Sequence, residues 1–251
     1  MADYSDLESK IDSPIEYVVF DSIASTNDYL SKLSNNNTKT QICIALEQTN
    51  GRGQRGRRWL SGHKTSVIFS IGKHFNSTTV LNGLSLVIGL AIVEVIKRYG
   101  VDNPKLKWPN DVLINDKKLA GILLENTLKG DRQSVIIGLG LNVNLNDEVN
   151  CQTPWIDLNK ILKTKVDLTR ITIDLIHKIL IFCEIFEQEG FSYFVQKWNK
   201  IDYLSGKKIT YQHNKDSFTG ICCGVDENGL LLIQTVDGIK KMHSSEFLSL
   251  C

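Results

Sequence analysis

Four arginines and three glycines fall within nine consecutive residues, GRGQRGRRW, at 51–59. A guanidinium group binds phosphate or carboxylate through a planar pair of N–H donors, and glycine lets backbone N–H groups approach an anion closely. The segment therefore predicts an anion-binding loop, and we expect it to be mobile until an anion orders it. A solvated basic loop and a nucleic-acid patch remain alternatives, although a binder of single strands would interleave more aromatic residues than Trp59 alone.

This glycine-arginine loop (51–59) resembles three nucleotide-binding patterns, each only in part. Its glycines spell G-x-G-x-x-G after a predicted strand, but no apolar helix follows, and no acidic residue stands about 20 positions further on, as a dinucleotide site requires. Arg57-Arg58 stands where a P-loop carries Lys-Ser/Thr, and neither HRD nor DFG follows as in a protein kinase. We therefore interpret the loop as a phosphate-binding segment outside these three classes.

A second cluster, KWPND at 107–111, is followed across a predicted hairpin turn by KLAGILLE at 118–125. Taken singly, Trp108 and Pro109 fit the end of a strand, and Lys118 fits a solvated hairpin lysine. Together with the loop, the cluster supplies the cationic and amide groups that position a phosphate and neutralise its charge. The chain has no G-x-S-x-G motif and no convincing Cys/His pair, so a protein nucleophile is not indicated.

Hydrophobic periodicity indicates the elements that must position these groups. Apolar residues at three- and four-residue steps predict helices over 79–99 and 171–186; a further helix is predicted over 191–198, and another begins after the candidate N-caps at 25–27. Between 105 and 145 the predicted strands follow one another without intervening helices, so we expect an α+β fold with a mixed, largely antiparallel sheet. The predicted strands lie at 15–20, 42–46, 66–71, 105–108, 112–114, 118–125 and 134–145.

The character of the chain changes near residue 205. From Gly206 on, short β-rich runs alternate with turns, which predicts a small closed barrel. These runs lie at 208–211, 218–225, 230–234 and 239–243. We therefore divide the chain into a polar N-terminal lead at 1–14, a larger domain at 15–204 that carries both clusters, and the barrel at 205–251.

Composition and charge argue against several other classes of protein. The net charge is +1, so no overall field recruits nucleic acid or an acidic membrane. The longest apolar stretch, 84–96, is shorter than the roughly 18 residues of a membrane span, and the polar, acidic N-terminus does not fit a secretory signal. Six cysteines without a CxxC pair, and five histidines without ligand spacing to them, predict reduced thiols, no protein-held metal and a cytoplasmic location.

Four motifs, in this order, resemble those of the biotin–protein ligase family. They are STN at 25–27, EQTNGRGQRGRRW at 47–59, KWPNDVLINDKKLAGILLE at 107–125 and IGLGLNVN at 137–144. The resemblance extends over most of residues 15–250 and implies a catalytic domain on a mixed sheet, followed by an SH3-like C-terminal barrel. It also implies a reaction in which ATP with Mg²⁺ activates biotin as biotinyl-5′-adenylate, and biotin is then transferred to a lysine of a biotin carboxyl carrier protein.

The resemblance also implies roles for individual residues. Lys118 and Arg52 are the expected catalytic groups, with Lys118 at the acyl-phosphate oxygens. Trp59 is expected to pack on the adenine and Asn142 to hydrogen-bond it. The expected biotin contacts are Ser25, Thr26, Asn27, Gln48, Gly51, Arg52, Lys118 and Gly121. The expected ATP or adenylate contacts are Arg52, Arg55, Arg57, Trp59, Lys107, Asn110, Asp111 and Asn142, and which of these face the triphosphate or Mg²⁺ is left open.

The chain departs from the family pattern at three places. Gln54 stands where many relatives carry Arg, which weakens the local positive charge and is expected to loosen retention of the adenylate. The C-terminal residues 245–251 lack the Gly and Arg of the pattern G-E-x-S-L-R, so a phosphate contact from the barrel is in doubt. Only 24 residues precede Ser25, so we expect a short-form ligase without the N-terminal DNA-binding domain of some relatives.

Two rival functions remain open beside the ligase. A lipoate–protein ligase or octanoyl transferase shares the fold and a catalytic lysine, but the pairing of the KWPND and GRGxxGR motifs favours biotin. A non-catalytic sensor that binds biotinyl-adenylate is disfavoured by the lack of a DNA-binding domain. A homodimer is possible, and we expect no nucleic-acid or membrane partner.

Overall fold

Seven strands form the larger of the two sheets in the computed structural model, which describes residues 4–11, 14–33, 39–129, 132–145, 153–213, 216–243 and 248–250. They are β1 (Ile15–Phe20), β2 (Thr40–Ala45), β3 (Ser66–Asn76), β4 (Lys105–Lys107), β5 (Asp111–Ile114), β6 (Lys117–Lys129) and β7 (Arg132–Asn142). Their order is β1-β2-β3-β7-β6-β5-β4. β1 and β2 are parallel, and the other neighbouring pairs are antiparallel. The predicted mixed, largely antiparallel sheet and the α+β class are therefore confirmed.

The described residues also form six α-helices. They are α1 (Asp6–Lys10), α2 (Thr26–Lys32), α3 (Leu84–Arg98), α4 (Leu158–Leu162), α5 (Leu168–Glu189) and α6 (Val195–Asn199). α3 and α5 pack against each other and against strands of the sheet, whereas α2 contacts β2, β3 and β7. No helix in this described part combines the length and the apolar character needed to cross a membrane.

The alternation of side chains along β3 and β7 gives the sheet two different faces. Phe69 and Ile71 of β3 and Leu139 of β7 are buried in one hydrophobic core with residues of α3 and α5. Ser70 and Gly138 alternate with them and therefore point to the opposite face. Because these two residues are small, that face has room for α2 and for a ligand.

The second sheet is antiparallel and lies at the C-terminal end of the chain. Its strands are β8 (Lys208–His213), β9 (Asp216–Val225), β10 (Leu231–Thr235), β11 (Gly238–Met242) and β12 (Leu248–Leu250), in the order β11-β10-β9-β8-β12. Ile209, Leu231 and Ile233 are fully buried in its core. The predicted SH3-like barrel is confirmed, with β12 added as a strand that the sequence analysis missed.

Hydrogen bonds join the barrel to α6 and to the segment between β4 and β5. The indole Nε1 of Trp108 donates to the carbonyl oxygen of Gly229 at 3.1 Å. The side-chain amide of Asn199 donates to the backbone of Val225 at 3.0 Å and accepts from it at 2.9 Å. Trp108 is only 4% exposed, so this residue of the KWPND cluster is a buried contact with the barrel.

Two predicted helices differ from those observed. α3 begins at Leu84, later than predicted, because Gly83 has a φ of 84° and a Cβ there would lie 2.5 Å from Cγ of Phe191. Glycine adopts this left-handed conformation without strain, and the chain turns here before the helix starts. The segment predicted as a helix over 191–198 is a 3₁₀ turn at Phe191–Tyr193 followed by α6.

The polar N-terminal lead contains α1, which the sequence analysis did not predict. Leu7 is fully buried and Tyr4 is 3% exposed, and both belong to the core. Lys10 Nζ lies 3.3 Å from Oδ1 of Asp174 in α5. A helix of five residues is too short to show a periodic pattern, so tertiary contacts define it. The sequence also predicts turns at 129–131 and at Asn214, and residues 130–131 and 214 lie outside the described residues.

Asp202 lies between α6 and the barrel and is 7% exposed. Its Oδ1 accepts a hydrogen bond from the backbone N–H of Leu204 at 2.9 Å, and its Oδ2 lies 3.9 Å from Sγ of Cys222. Burial raises the pKa of Asp202 to about 6, against the opposing effects of these two donors and of Lys105 and Lys207. In the unfolded chain the pKa of an Asp is about 3.9, so the folded protein disfavours the charged form.

Asp202→Asn is expected to stabilise the protein at pH 8 and to change its stability little at pH 4. The folded-state pKa is raised, so the wild type loses stability as the pH rises from about 4 through about 6, whereas Asn does not ionise. Above about pH 7 the gain in unfolding free energy is expected to be on the order of 2–3 kcal/mol. Urea titrations at the two pH values measure the difference in unfolding free energy between the variant and wild type. A difference that does not vary with pH would show that ionisation of Asp202 is not its cause.

Candidate active site

A cavity of about 370 Å³ brings the two sequence clusters together. This volume lies in the range of small-molecule sites, roughly 300–1,000 Å³. Of the residues predicted to form the site, only Gly51 is not among those that line the cavity. The predicted residues that do line it are Ser25, Thr26, Asn27, Gln48, Arg52, Arg55, Arg57, Trp59, Lys107, Asn110, Asp111, Lys118, Gly121 and Asn142.

The N-terminus of α2 forms one end of the cavity. Ser25 has the extended conformation of an N-cap, and its hydroxyl accepts from the backbone N–H of Asp28 at 3.3 Å. The backbone N–H and the hydroxyl of Thr26 both donate to Oε1 of Gln48, at 2.7 and 3.0 Å. Because Oε1 of Gln48 is already engaged, its Nε2 is the group that this amide offers to a ligand.

Asn27 is held on both sides of its amide. Its Oδ1 lies 2.6 Å from the hydroxyl of Ser70, and its Nδ2 donates to Oε2 of Glu125 at 2.7 Å. A Cβ at Gly138 would lie 2.3 Å from Oδ1 of Asn27, so only a glycine leaves room for the amide against β7. The sequence analysis gave Ser70 and Glu125 no role. Ser70 lies in no motif, and Glu125 is the last residue of KLAGILLE, where nothing local showed what it contacts.

The glycine-arginine loop folds back on itself as a short hairpin-like turn. Gly53 N–H donates to the carbonyl oxygen of Arg57 at 2.7 Å, and Trp59 N–H donates to that of Gly51 at 2.9 Å. Residues Gln54–Gly56 form the 3₁₀ turn between these bonds. No apolar helix follows the loop, in agreement with the exclusion of a dinucleotide-binding segment.

Gly51 is buried beneath the turn, outside the lining of the cavity. A Cβ at this position would lie 2.7 Å from the carbonyl oxygen of Trp59 and 3.0 Å from Nε2 of Gln48. Its hydrogen atom therefore allows the two ends of the loop to meet beside Gln48. Gly51 thus shapes the loop in this structure, and its predicted contact with biotin stays a prediction.

Trp59 lies directly on the sheet. A Cβ at Gly140 would lie 2.3 Å from Cε2 of Trp59, and one at Gly121 would lie 3.2 Å from Cζ3. The two glycines are on adjacent positions of β7 and β6, where the register pairs Gly121 with Gly140. The alternation of Gly138 and Gly140 within β7 was the sequence signal for this close approach, since glycine inside a strand often marks such a place.

Lys118 lies between the tryptophan and the KWPND cluster. Its Nζ is 2.6 Å from Oδ1 of Asp111 and 5.6 Å from the ring centroid of Trp59. Asn110 donates through Nδ2 to the carbonyl oxygen of Ile122 at 2.7 Å and so fixes the cluster to β6. Lys118 and Asp111 are each about three-quarters buried, which strengthens their mutual attraction relative to an exposed pair.

Asn142 closes the cavity at the end of β7. Its Nδ2 lies 3.3 Å from the carbonyl oxygen of Lys118 and 3.1 Å from that of Ile156. Both protons of this amide nitrogen are thereby directed to backbone oxygens, so the group that Asn142 offers to a ligand is its carbonyl oxygen. Gly138, which lies beside Asn27, is four residues from Asn142 on the same strand. The two ends of the cavity are therefore roughly 13 Å apart.

The described lining of the cavity is strongly cationic. Its six Arg and Lys residues are opposed by a single carboxylate, that of Asp111. Such an excess favours an anionic ligand. The cationic residues are Arg52, Arg55, Arg57, Arg58, Lys107 and Lys118. Lining residues that the sequence analysis did not assign to the site include Leu60, Gly138, Gly140, Leu145, Thr153, Trp155 and Gln212.

Comparisons with known proteins agree with this fold. The model of the biotin/lipoate A/B protein ligase family matches residues 19–142. The bifunctional ligase/repressor BirA of Salmonella typhimurium is 34% identical over 245 residues, which are 96% of this chain and 76% of BirA. The biotin–[acetyl-CoA-carboxylase] ligase of Mycobacterium tuberculosis is 39% identical over 107 residues, 41% of this chain and 39% of that protein.

A solved structure gives the same result over nearly the whole chain. Biotin protein ligase from Aquifex aeolicus, in complex with biotin and ATP, has a TM-score of 0.79 and 29% identity, and the match covers 94% of this chain and 98% of that one. The chain therefore belongs to the biotin/lipoate A/B protein ligase family, among the biotin–protein ligases, and is a ligase.

Gly140→Ala is expected to displace the indole of Trp59 from the sheet, because the new methyl group would lie 2.3 Å from it. Overpacking of this kind lowers the unfolding free energy by about 1–3 kcal/mol. Gly72→Ala is the matched control, since its Cβ would meet its nearest neighbour at 3.7 Å. Chemical denaturation and acrylamide quenching of tryptophan fluorescence measure the two effects. If the two variants showed the same unfolding free energy and the same fluorescence quenching, the close packing of Trp59 on Gly140 would be contradicted.

Proposed function

We propose that this chain is an ATP-dependent biotin–protein ligase. It forms biotinyl-5′-adenylate from biotin and ATP and transfers the biotinyl group to a lysine of a biotin carboxyl carrier protein. The observation that carries the proposal is a single cavity with a neutral polar end at Ser25, Thr26 and Gln48 and a cationic remainder. The substrates are those named for the A. aeolicus ligase, and the carrier is of the kind named for the M. tuberculosis ligase.

The neutral end suits the ureido ring of biotin. This ring is a planar group with N–H donors and a carbonyl acceptor, which hydroxyl and amide side chains match. The Ser25 hydroxyl and Nε2 of Gln48 lie where such a ring would bind, while Thr26 holds Gln48 in place. The carboxylate of biotin would then extend along the sheet toward Arg52 and Lys118.

In the first step a carboxylate oxygen of biotin forms a bond to the α-phosphorus of ATP, and the bond from that phosphorus to the pyrophosphate oxygen breaks. Lys118 is the group we assign to the oxygens of the forming acyl phosphate, where it offsets developing charge. In the second step the amine of the carrier lysine forms an amide with the acyl carbon, loses a proton, and AMP leaves. Both steps require positioned cations and donors and do not require a protein nucleophile.

Asp111 is the carboxylate that fits the Mg²⁺ ion carried by ATP. Its buried Oδ1 has no directed hydrogen bond within the described residues and faces the charge of Lys118. Mg²⁺ in nucleotide sites takes one or two protein carboxylates together with phosphate oxygens and water, and it would neutralise the triphosphate. When Lys118 turns to the acyl phosphate, Asp111 becomes available to a cation. The described residues contain no group of three or more His, Cys, Asp or Glu placed as a metal site.

One assay tests the function as a whole. The purified protein is incubated with ATP and Mg²⁺, a biotin carboxyl carrier domain, and either biotin or lipoate. A biotin-dependent gain in the mass of the carrier supports the proposal. A gain only with lipoate would replace it with a lipoate ligase, and adenylate formation without transfer would support a sensor.

Lys118→Ala is expected to retain biotin binding and to lose adenylate formation by about 10²–10³-fold, as when one donor to a developing oxyanion is removed. Lys117→Ala is the control, because Lys117 is exposed and does not line the cavity. Calorimetric titration with biotin and release of pyrophosphate measure the two quantities. An unchanged rate in the Lys118 variant would overturn the assigned role.

ATP is expected to be used at least ten-fold better than inosine triphosphate at limiting nucleotide. The carbonyl oxygen of Asn142 accepts a hydrogen bond from the 6-amino group of adenine, whereas inosine presents an oxygen there, and an unmatched buried acceptor costs about 1–3 kcal/mol. Pyrophosphate release at several nucleotide concentrations gives kcat/KM for both. Equal values would show that Asn142 does not read the base.

A further inference from the structure

We propose that Asp28 and Glu125 are positioning residues that seat Arg52 and thereby tether the glycine-arginine loop to the body of the domain. The identity of the ligand that Arg52 meets rests on the proposed function. The contacts of Arg52 with Asp28 and Glu125, called the arginine seat below, do not depend on the proposed function, because they lie within the protein. Asp28 belongs to no motif of the sequence analysis, whereas Glu125 ends the KLAGILLE motif but was given no role there. Neither carboxylate lines the cavity.

The contacts of Arg52 converge on one of its terminal nitrogens. Nη2 donates to Oδ1 of Asp28, and it lies 2.9 and 3.1 Å from the two carboxylate oxygens of Glu125. A guanidinium group has five N–H donors in a fixed plane. Contacts at Nη2 therefore restrain the orientation of the whole guanidinium plane of Arg52, which also lines the cavity.

Glu125 is itself held in a defined orientation. Oε2 accepts a hydrogen bond from Nδ2 of Asn27 at 2.7 Å. Asn27 is fixed in turn by Ser70, which is fully buried, and by the close approach to Gly138. A continuous network thus runs from the N-terminus of α2 across β3 and β6 to the loop.

The bonds between Gly53 and Arg57 and between Gly51 and Trp59 lie within the loop and fix its shape. Arg52 reaches two elements outside it, α2 through Asp28 and β6 through Glu125. The three side chains are between 34% and 39% exposed, so solvent screens their charges, and the directed contacts to Nη2 carry the tether more than net attraction does.

The position of the seat explains how these carboxylates act on the reaction. They contact the catalytic Arg52 from outside the cavity, so they affect a ligand only through the arginine. A pre-oriented arginine lowers the ordering cost that binding would otherwise include. Loss of these contacts is therefore expected to weaken binding of the anionic substrate more than it lowers the rate at which the bound substrate reacts.

Trypsin tests the tether directly, because the loop contains four arginines at which it cleaves. The variants are Asp28→Asn, Glu125→Gln and the double variant, which keep side-chain shape while removing charge. Cleavage within the loop of the ligand-free double variant is expected to be at least about ten-fold faster than in wild type, since charge-assisted bonds are the stronger class. Glu94→Gln is the control, because Glu94 forms a comparable ion pair with Lys178 in α3 and α5. Unchanged cleavage of the double variant, with an unchanged melting temperature, would overturn the tether.

Kinetics test the positioning role separately. In the double variant the KM for biotin is expected to rise about ten-fold while kcat changes less than about three-fold. Asp28→Glu, which retains a carboxylate within reach of Nη2, is expected to recover most of the lost protection from trypsin. Faster cleavage with an unchanged KM would overturn the positioning role and leave a purely structural tether. If the protein does not use biotin at all, the proteolysis result still decides the seat, so the two failures are distinguishable.

Discussion

The rest of this site depends on one constraint, the close approach of side chains to strand positions that are occupied by glycine. Asn27 and Trp59 lie against β7 at distances that exclude even a methyl group on Gly138 and Gly140. The opposite face of the same strands carries the hydrophobic core with α3 and α5. The sheet thus separates a packed interior from a cavity whose floor is backbone, and the indole of Trp59 takes its orientation from that floor.

A second constraint is the repulsion among cations that share one cavity. The structure places three of these cations beside fixed acceptors. Lys118 faces Asp111, Arg52 is held by Asp28 and Glu125, and a terminal nitrogen of Arg58 donates to the carbonyl oxygen of Thr49 at 3.2 Å. These partners come from different elements, so the charges are kept apart before a ligand arrives. The folded chain therefore maintains a cationic site that would be unfavourable if the same residues were free to approach each other.

The sequence predicted the sheet, most strands and the long helix α5, because burial imposes a local period that the chain itself carries. The start of α3 depended on the contact of Gly83 with Phe191, which no local pattern contains. The motif residues could be singled out because their chemical types and spacing are distinctive, and the structure places all of the predicted site residues except Gly51 around one cavity. Asp28 and Ser70 were missed because an isolated acidic or hydroxyl residue is common on any surface, and only the fold gives them partners. Gln212 reaches the cavity from the barrel, where no motif marks it.

The indole of Trp108 has a consequence for the molecule as a whole. It belongs to the same five-residue cluster as Asp111, yet its N–H bonds the turn of the barrel at Gly229. Asn199 adds two further bonds across the same boundary. The barrel and the larger sheet are therefore coupled through the segment that forms one wall of the cavity. Such coupling favours melting of the two units in one cooperative transition. It also makes the barrel a structural support of the cavity wall.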